Sequence, residues 1–207
     1  MPHLLIYGDS NSFGTQPREA WGELPRLGDD ERWPGVLAAT LGPDWKVTPE
    51  ALPGRTICSD DPTAGPWRNG LRVLPAVLGS HLPVDIVAVM LGTNDLKAMF
   101  GFTGFEVSEC ARRLLAEIPR HAPAARRLWI APPVPYAAGL YGELYRGADP
   151  RGASLPEPLA RVAGEEGVAF FDAGGVIACD PADGVHFRAP AHAALGRALV
   201  PVIRGLA

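Results

Sequence analysis

Short apolar runs alternate with longer segments of helical periodicity along the whole chain. Five runs are apolar and end at Gly, Pro, Asn or Asp, which predicts strands at 3–7, 46–52, 85–91, 127–131 and 168–172. The segments that follow them carry apolar residues three or four positions apart, which predicts helices at 32–41, 71–82, 106–121, 155–166 and 190–206. This alternation predicts an α/β fold in which a parallel, doubly wound sheet has helices on both faces.

Two segments show neither the apolar run of a buried strand nor the three-to-four spacing of a helix. They follow the first and the fourth predicted strands, at 12–31 and 132–153. Each is about 20 residues long, which is more than a simple connection needs. Both should emerge at the carboxyl end of the sheet, where open α/β folds bind ligands. The pattern therefore predicts a binding site under these two segments.

Composition narrows the class of protein. With 207 residues, 47% of them hydrophobic, the chain is expected to form a single domain over residues 1–207. A formal net charge of −4 and the lack of Lys/Arg runs disfavour nucleic acid as a partner. No secretion signal or long apolar span is visible, which predicts a cytoplasmic protein without membrane contact. The three cysteines lack metal-ligand spacing and are expected to be reduced thiols, with no metal site.

A serine stands where the first apolar run breaks off. Ser10 follows Gly8 and Asp9, and Gly14 frees the backbone shortly after it. Such a serine can simply cap a helix. It can also be a nucleophile, because the turn exposes its hydroxyl and its N–H can stabilise negative charge at a helix N-terminus.

Asp183 and His186 lie far downstream and three residues apart. They could belong to an ordinary surface turn. In the functional reading, the turn brings the carboxylate back to the imidazole Nδ1–H, so that Nε2 faces the serine as general base.

Two further strand ends carry candidate chemistry. Asn94, in Gly92-Thr93-Asn94-Asp95, can aim its side-chain amide at a reacting carbonyl oxygen, although this tetrapeptide also suits a plain turn. Gly54 follows the second strand, where its missing side chain lets backbone N–H approach a ligand or merely permits a turn.

Taken together, four strand ends each supply one part of a single acyl-transfer site. They are Gly8-Asp9-Ser10, Gly54, Gly92-x-Asn94-Asp95 and Asp183-x-x-His186. In order and spacing they resemble the four blocks of the SGNH (GDSL) hydrolase family, over essentially the whole chain. Additional stretches resemble its bacterial arylesterase/acyltransferase branch: Asp60-Asp61-Pro62-Thr63, Asn69-Gly70 and Met90-Leu91-Gly92-Thr93-Asn94-Asp95-x-Lys97.

The resemblance implies a fold and a set of roles. It implies a flavodoxin-like three-layer sandwich with strand order 2-1-3-4-5. Ser10 would be the nucleophile, His186 the base and Asp183 its orienting partner. The oxyanion hole would consist of the Ser10 and Gly54 N–H groups and the Asn94 side chain, while Asp9 and Asp95 would support nearby backbone.

The expected activity is that of a serine esterase on short-chain acyl esters, including aryl esters, through an acyl-enzyme intermediate. Transfer to alcohols is a further expectation from the branch. No cofactor or metal is implied, the partner is a small-molecule ester, and homo-oligomerisation stays open. One alternative is a carbohydrate O-acetylesterase on the same triad, with Trp67 and loop tyrosines as sugar platforms. A remote alternative is a non-catalytic flavodoxin-like binding protein.

The substrate pocket is assigned from loop positions and departures from the branch. The candidates are Asn11, Thr15, Lys97, Val134, Tyr136 and Val185. Tyr141 and Tyr145 in the same long loop could also wall an acyl pocket or bury against a neighbouring subunit. A short, closed pocket is expected, and the polarity of Asn11 and Thr15 should favour water over added alcohol.

Overall fold

A five-stranded parallel sheet runs through the centre of the molecule, as seen in the computed structural model, which describes residues 1–22 and 25–207. The strands are β1 (His3–Gly8), β2 (Lys46–Ala51), β3 (Ile86–Met90), β4 (Arg126–Ala131) and β5 (Ala169–Asp172). Their order is β2-β1-β3-β4-β5, and all neighbouring pairs are parallel. The α/β class, the parallel sheet and the strand order expected from the sequence are confirmed.

Seven α-helices surround this sheet in the described part of the chain. They are α1 (Ser10–Phe13), α2 (Trp33–Leu41), α3 (Gly70–His81), α4 (Gly104–His121), α5 (Ala148–Gly152), α6 (Pro156–Glu165) and α7 (Ala189–Arg204). The five long helices and all five strands begin and end within two residues of their predicted bounds. The short helices α1 and α5 were not predicted, because four or five residues carry too little periodicity to be recognised.

Strand β1 is buried on both faces, which explains its unbroken apolar run. Successive side chains of a strand point to opposite faces. Leu5 and Tyr7 accordingly pack with the α3, α4 and α6 side, whereas Leu4 and Ile6 pack with the α2 and α7 side. All four side chains are fully buried. The strand that leads to Ser10 is therefore held from both sides of the sheet.

A buried histidine joins the two helices on the second face. His192 on α7 is fully buried, and its Nδ1 accepts a hydrogen bond from the Trp33 N–H at 3.2 Å. Burial, with a smaller contribution from nearby cationic groups, lowers its pKa from 6.5 to about 4. The imidazole is therefore neutral at pH 7.

His192 should make the fold sensitive to acid. A depressed folded-state pKa leaves stability intact above pH 6.5 and removes it as pH falls from about 6.5 to about 4, because the unfolded chain binds the proton first. The shift corresponds to about 3 kcal/mol. We expect His192→Asn, which retains an acceptor for Trp33, to flatten this part of the pH profile in urea unfolding measured between pH 7 and pH 4. An unchanged difference between wild type and variant across this range would contradict the expectation.

Neither disulfides nor membrane-spanning helices occur in residues 1–22 and 25–207. Cys58, Cys110 and Cys179 are free thiols, as predicted. Among the described helices, none is both long enough and apolar enough to cross a bilayer.

Candidate active site

Residues from four strand ends meet at the carboxyl edge of the sheet. Ser10 follows β1, Gly54 follows β2, Asn94 follows β3, and His186 lies in the loop after β5. All four line one cavity of about 210 Å³. The parallel sheet produces this convergence because all its strands end at the same edge.

The turn between β1 and α1 presents Ser10 to this cavity. The side chain of Asp9 caps α1 by accepting a hydrogen bond from the Asn11 N–H at 2.9 Å. Asp9 is thus the helix cap, and the Ser10 hydroxyl is left for another partner. The turn is tight: a Cβ on Gly8 would collide with the Ser12 hydroxyl.

The loop after β5 folds Asp183 back onto His186. One carboxylate oxygen, Oδ1, accepts hydrogen bonds from the Val185 N–H at 3.0 Å and the His186 N–H at 2.9 Å. The other, Oδ2, lies 2.7 Å from His186 Nδ1. Gly184 makes the turn possible with a φ of +71°. Across the cavity floor, His186 Nε2 lies 3.1 Å from Ser10 Oγ.

Asp183 is held in its ionised form. Burial alone raises the pKa of its carboxyl, but the hydrogen bonds from His186 and the neighbouring backbone outweigh burial and lower the pKa below its ordinary value. An ionised Asp183 requires the His186 proton on Nδ1. Nε2 is then free to accept the proton of Ser10.

Ser10, Gly54 and Asn94 line the same cavity and carry the three candidate donors of an oxyanion hole. Among the described backbone contacts, the N–H groups of Ser10 and Gly54 are not engaged. Gly54 has a φ of +81°, which favours glycine. Asn94, the third candidate, has a buried side chain and lines the same cavity. Donors of this kind stabilise the oxyanion of a tetrahedral intermediate.

A buried tyrosine fixes the orientation of the Asn94 amide. The Tyr145 hydroxyl donates to Asn94 Oδ1 at 3.3 Å. The amide nitrogen Nδ2 donates to the Arg55 carbonyl at 3.1 Å and, over a longer 3.3 Å, to Asp9 Oδ2. With Tyr145 on its oxygen, the amide keeps its N–H₂ directed to the Arg55 carbonyl and the Asp9 carboxylate. This hydrogen bond links positions 51 residues apart and was not predicted.

Asp9 and Asp95 are buried carboxyls beneath the site. Burial raises the pKa of Asp9 to about 6 and that of Asp95 to about 7. Asp95 accepts hydrogen bonds from the Ile57 N–H at 3.0 and 3.1 Å. Both carboxyls therefore hold backbone next to the cavity, which is the supporting role that the resemblance implied.

Three of the predicted pocket residues lie on the cavity wall: Thr15, Lys97 and Val185. Lys97 is buried, and its Nζ lies 2.7 Å from Asp61 Oδ2. Although burial raises the pKa of Asp61, its bonds to Lys97 and Thr63 lower it to about 2. Lys97 consequently reaches the cavity as half of an ion pair, rather than as a solvated turn lysine.

The structure corrects the other three pocket assignments. Asn11 is buried and donates to the Val185 carbonyl at 3.1 Å, so it ties α1 to the histidine loop and does not line the cavity. Val134 and Tyr136 line a different cavity. The Tyr136 N–H donates to the Gly184 carbonyl at 3.0 Å. This bond holds the segment against the loop that carries Asp183 and His186, and so keeps it out of the Ser10 cavity.

Later residues of the same long segment form the wall instead. Tyr141, Leu144 and Tyr145 line the cavity, and the Tyr141 ring lies edge-on to His186 at 5.5 Å. Arg18 bridges the two aperiodic segments, because its Nη2 and Nε donate to the Tyr141 hydroxyl at 2.7 and 3.0 Å. Residues 23 and 24 of the first segment lie outside the described residues.

Two arginines on the wall were missed in the sequence. Arg18 lies in an aperiodic segment, and Arg68 lies in a 3₁₀ turn spanning Pro66–Arg68. Neither belongs to a motif, so no local signal distinguishes them from surface arginines. As for metals, residues 1–22 and 25–207 contain no cluster of three or more His, Cys, Asp or Glu side chains that could hold one.

Comparison with solved structures yields close matches over the full length. The chain is 36% identical to the native aryl esterase of M. smegmatis, with a TM-score of 0.94 and 100% of both chains covered. It is 36% identical to a carbohydrate acetylesterase family member from Sinorhizobium meliloti, with a TM-score of 0.93 and coverage of 100% and 99%. A carbohydrate acetylesterase from the same organism is 31% identical, with a TM-score of 0.94 and 100% of both chains covered.

A search of curated proteins produced no significant match. A comparison with sequence models of protein families did produce one. The model of the GDSL-like lipase/acylhydrolase family matches residues 6–194, which include all four strand ends described above. The chain therefore belongs to the GDSL-like lipase/acylhydrolase family and is a carboxylic-ester hydrolase.

Proposed function

We propose that the protein hydrolyses short-chain acyl esters, including aryl esters, with Ser10 as nucleophile. One observation carries the proposal: an unbroken chain of short contacts from Asp183 through His186 to Ser10 at the floor of a small cavity, 2.7 Å and 3.1 Å long. Because residues from position 10 to position 186 contribute to this one site, we propose that residues 1–207 act as a single catalytic domain.

In the first half of the reaction, Ser10 Oγ attacks the ester carbonyl carbon while His186 Nε2 takes its proton. The carbonyl oxygen becomes an oxyanion that accepts hydrogen bonds from the Ser10 and Gly54 N–H groups and from Asn94. Asp183 stabilises the imidazolium. When the tetrahedral intermediate collapses, the bond to the alcohol breaks and His186 protonates the leaving oxygen.

In the second half, water replaces the alcohol. His186 removes a proton from the water as its oxygen attacks the acyl carbon on Ser10. A second tetrahedral intermediate forms in the same oxyanion hole and expels Ser10, which recovers its proton from His186. The carboxylic acid leaves, and the enzyme returns to its starting state.

Covalent labelling tests the nucleophile directly. An organophosphonate should modify Ser10 with one equivalent of label, and peptide mapping should locate the adduct there. Labelling of another residue, or of none while esters are still hydrolysed, would contradict the assignment of Ser10.

Acyl chain length should be limited by the cavity walls. Tyr141, Leu144, Tyr145 and Val185 supply hydrophobic and aromatic wall to the cavity of about 210 Å³. We expect kcat/KM for p-nitrophenyl esters to be higher with acetyl and propionyl than with octanoyl. In an open groove each additional buried methylene would instead gain about 0.8 kcal/mol. A kcat/KM that rises steadily from acetyl to octanoyl would therefore rule out a closed pocket.

Acyl transfer to alcohols is the less favoured outcome in this site. Thr15 brings a polar side chain to the cavity, although Asn11 does not. We propose that water outcompetes added alcohol, which product analysis of p-nitrophenyl acetate turnover with and without ethanol would reveal.

A carbohydrate O-acetylesterase is the second candidate. Trp67 is 59% exposed and directly precedes the wall residue Arg68, which would let its ring serve as a platform for a sugar. The two similar proteins from Sinorhizobium meliloti bear that description. Rates on p-nitrophenyl acetate and on acetylated xylosides would separate the candidates, and the xylosides must be preferred for this alternative to hold.

A further inference from the structure

The charged side chains that are described on the cavity wall are all positive. Three cationic side chains line it, Arg18, Arg68 and Lys97, and none of the lining residues that the structure describes is an aspartate or glutamate. The carboxylates of Asp9 and Asp183 lie beneath the site and are buried. The part of the cavity open to a ligand therefore carries positive charge, although the chain as a whole is acidic.

The three cations differ in how their charge is used. Lys97 is neutralised by Asp61 at 2.7 Å. Arg18 directs two of its N–H groups to the Tyr141 hydroxyl, which carries no opposite charge. Arg68 donates no side-chain hydrogen bond within the described residues, and its Nε is buried without a partner. The nearby Asp60 is engaged by Arg72 at 2.8 Å.

Backbone contacts hold Arg68 beside the oxyanion glycine. The Arg68 carbonyl accepts a hydrogen bond from the Thr56 N–H at 3.0 Å, and the Arg68 N–H donates to the Gly65 carbonyl at 3.2 Å. Its Nη1 lies 2.7 Å from the place where a Cβ on Gly54 would be. A side chain at position 54 would be strained by the positive φ and would have to displace the arginine. The guanidinium therefore lies against Gly54, on the wall of the cavity that Ser10 also lines.

We propose that Arg68, assisted by Arg18, binds a carboxylate carried by the substrate, so that the enzyme prefers esters with an anionic group near the scissile bond. This proposal rests on the proposed esterase function and adds a substrate class to it. A guanidinium presents a planar fork of N–H donors that matches the two oxygens of a carboxylate. Among residues 1–22 and 25–207 no carboxylate pairs with this fork beside Gly54, so the match is left to the ligand.

The carboxylate could belong to the alcohol or to the acyl part of the ester, and two pairs of esters distinguish these sources. For the alcohol, 4-acetoxybenzoate is compared with neutral 4-acetoxybenzamide. For the acyl part, ethyl hemisuccinate is compared with neutral ethyl levulinate. The measured quantity is the ratio of kcat/KM for the anionic ester to that for its neutral partner, in wild type and in Arg68→Gln.

In wild type, we expect one of the two pairs to give a higher ratio than the other, which identifies the part of the ester that carries the carboxylate. Arg68→Gln should lower that higher ratio about tenfold, which corresponds to about 1.4 kcal/mol. Arg68→Lys, which keeps the charge but loses the fork, should give an intermediate ratio. Arg197→Gln is the matched control, because Arg197 is exposed on α7 and lies outside the cavity wall. This control should leave the ratio as in wild type.

The proposal is overturned if Arg68→Gln leaves both ratios unchanged or if it slows all four esters equally. The second result would make Arg68 a general support of the oxyanion hole. An inhibition experiment tests the proposal on the wild-type enzyme alone. Benzoate should inhibit phenyl acetate hydrolysis more strongly than benzamide does, and equal inhibition by the two also counts against the proposal. Failure of wild type to hydrolyse any ester would instead remove the proposed esterase function.

Discussion

Ser10→Ala and His186→Ala should each reduce kcat for p-nitrophenyl acetate by at least about 10⁴-fold, and the double variant should lose little more. The reason is the 3.1 Å contact between Ser10 Oγ and His186 Nε2. Neither side chain contributes to catalysis without the other, because the hydroxyl needs a base and the base needs a hydroxyl to deprotonate. Steady-state rates of the two single variants and the double variant provide the test.

Two neighbouring residues provide controls of the same type. Ser80 and His81 lie at the end of α3, away from the cavity wall, and the imidazole of His81 is hydrogen-bonded to the Val77 carbonyl at 2.8 Å. Ser80→Ala and His81→Ala should both retain wild-type turnover. If the losses of the Ser10 and His186 variants instead add fully in the double variant, the two side chains do not act as one unit.

The parts of the site that could be predicted from sequence are those fixed by local structure. Ser10 follows a strand whose apolar run is dictated by burial on both faces. Asp183 and His186 are three residues apart, and the backbone bonds within their own turn bring the carboxylate to the imidazole. Local spacing was therefore sufficient to place each group at the edge of the sheet.

The parts that could not be predicted depend on how long segments cross the sheet. The position of Tyr136 is set by its backbone bond to Gly184, 48 positions away, and nothing in its own neighbourhood reveals that partner. The Tyr145 bond to Asn94 is likewise long-range. Their place in the long loop after the fourth strand marked the tyrosines of this segment as wall candidates, but only the path of the chain decides which of them reach the cavity.

Arg68 shows the same limit for charged residues. Its place beside Gly54 follows from a 3₁₀ turn of three residues, which is too short to leave a periodic pattern. An arginine near an exposed tryptophan looks like ordinary surface in the sequence. That no partner occurs for it in the described part of the chain emerges only from the structure, in which Asp60 pairs with Arg72 and Asp61 with Lys97.

Asn94→Ala should lower kcat by about 10²–10³, equivalent to about 2.7–4 kcal/mol of barrier, with little change in KM. The 3.3 Å contact from Asn94 Nδ2 to Asp9 is the longer of its two donor contacts, so this N–H can turn to the oxyanion as charge develops. Stabilisation that arises only in the transition state appears in kcat. Kinetics with p-nitrophenyl acetate, with thermal unfolding as a check on the fold, would measure it.

Tyr145→Phe is the matched variant for this prediction, because it keeps the ring and removes only the hydroxyl that holds Asn94 Oδ1. Without that donor the amide can rotate and offer its oxygen to the oxyanion, so kcat should fall, but by less than in Asn94→Ala, since the N–H₂ orientation stays accessible. When Tyr145→Phe is added to Asn94→Ala, kcat should then fall almost no further. A loss confined to KM in Asn94→Ala would mean that Asn94 binds the ground state. An additive loss in the double variant would mean that Tyr145 acts by a route other than the amide it contacts.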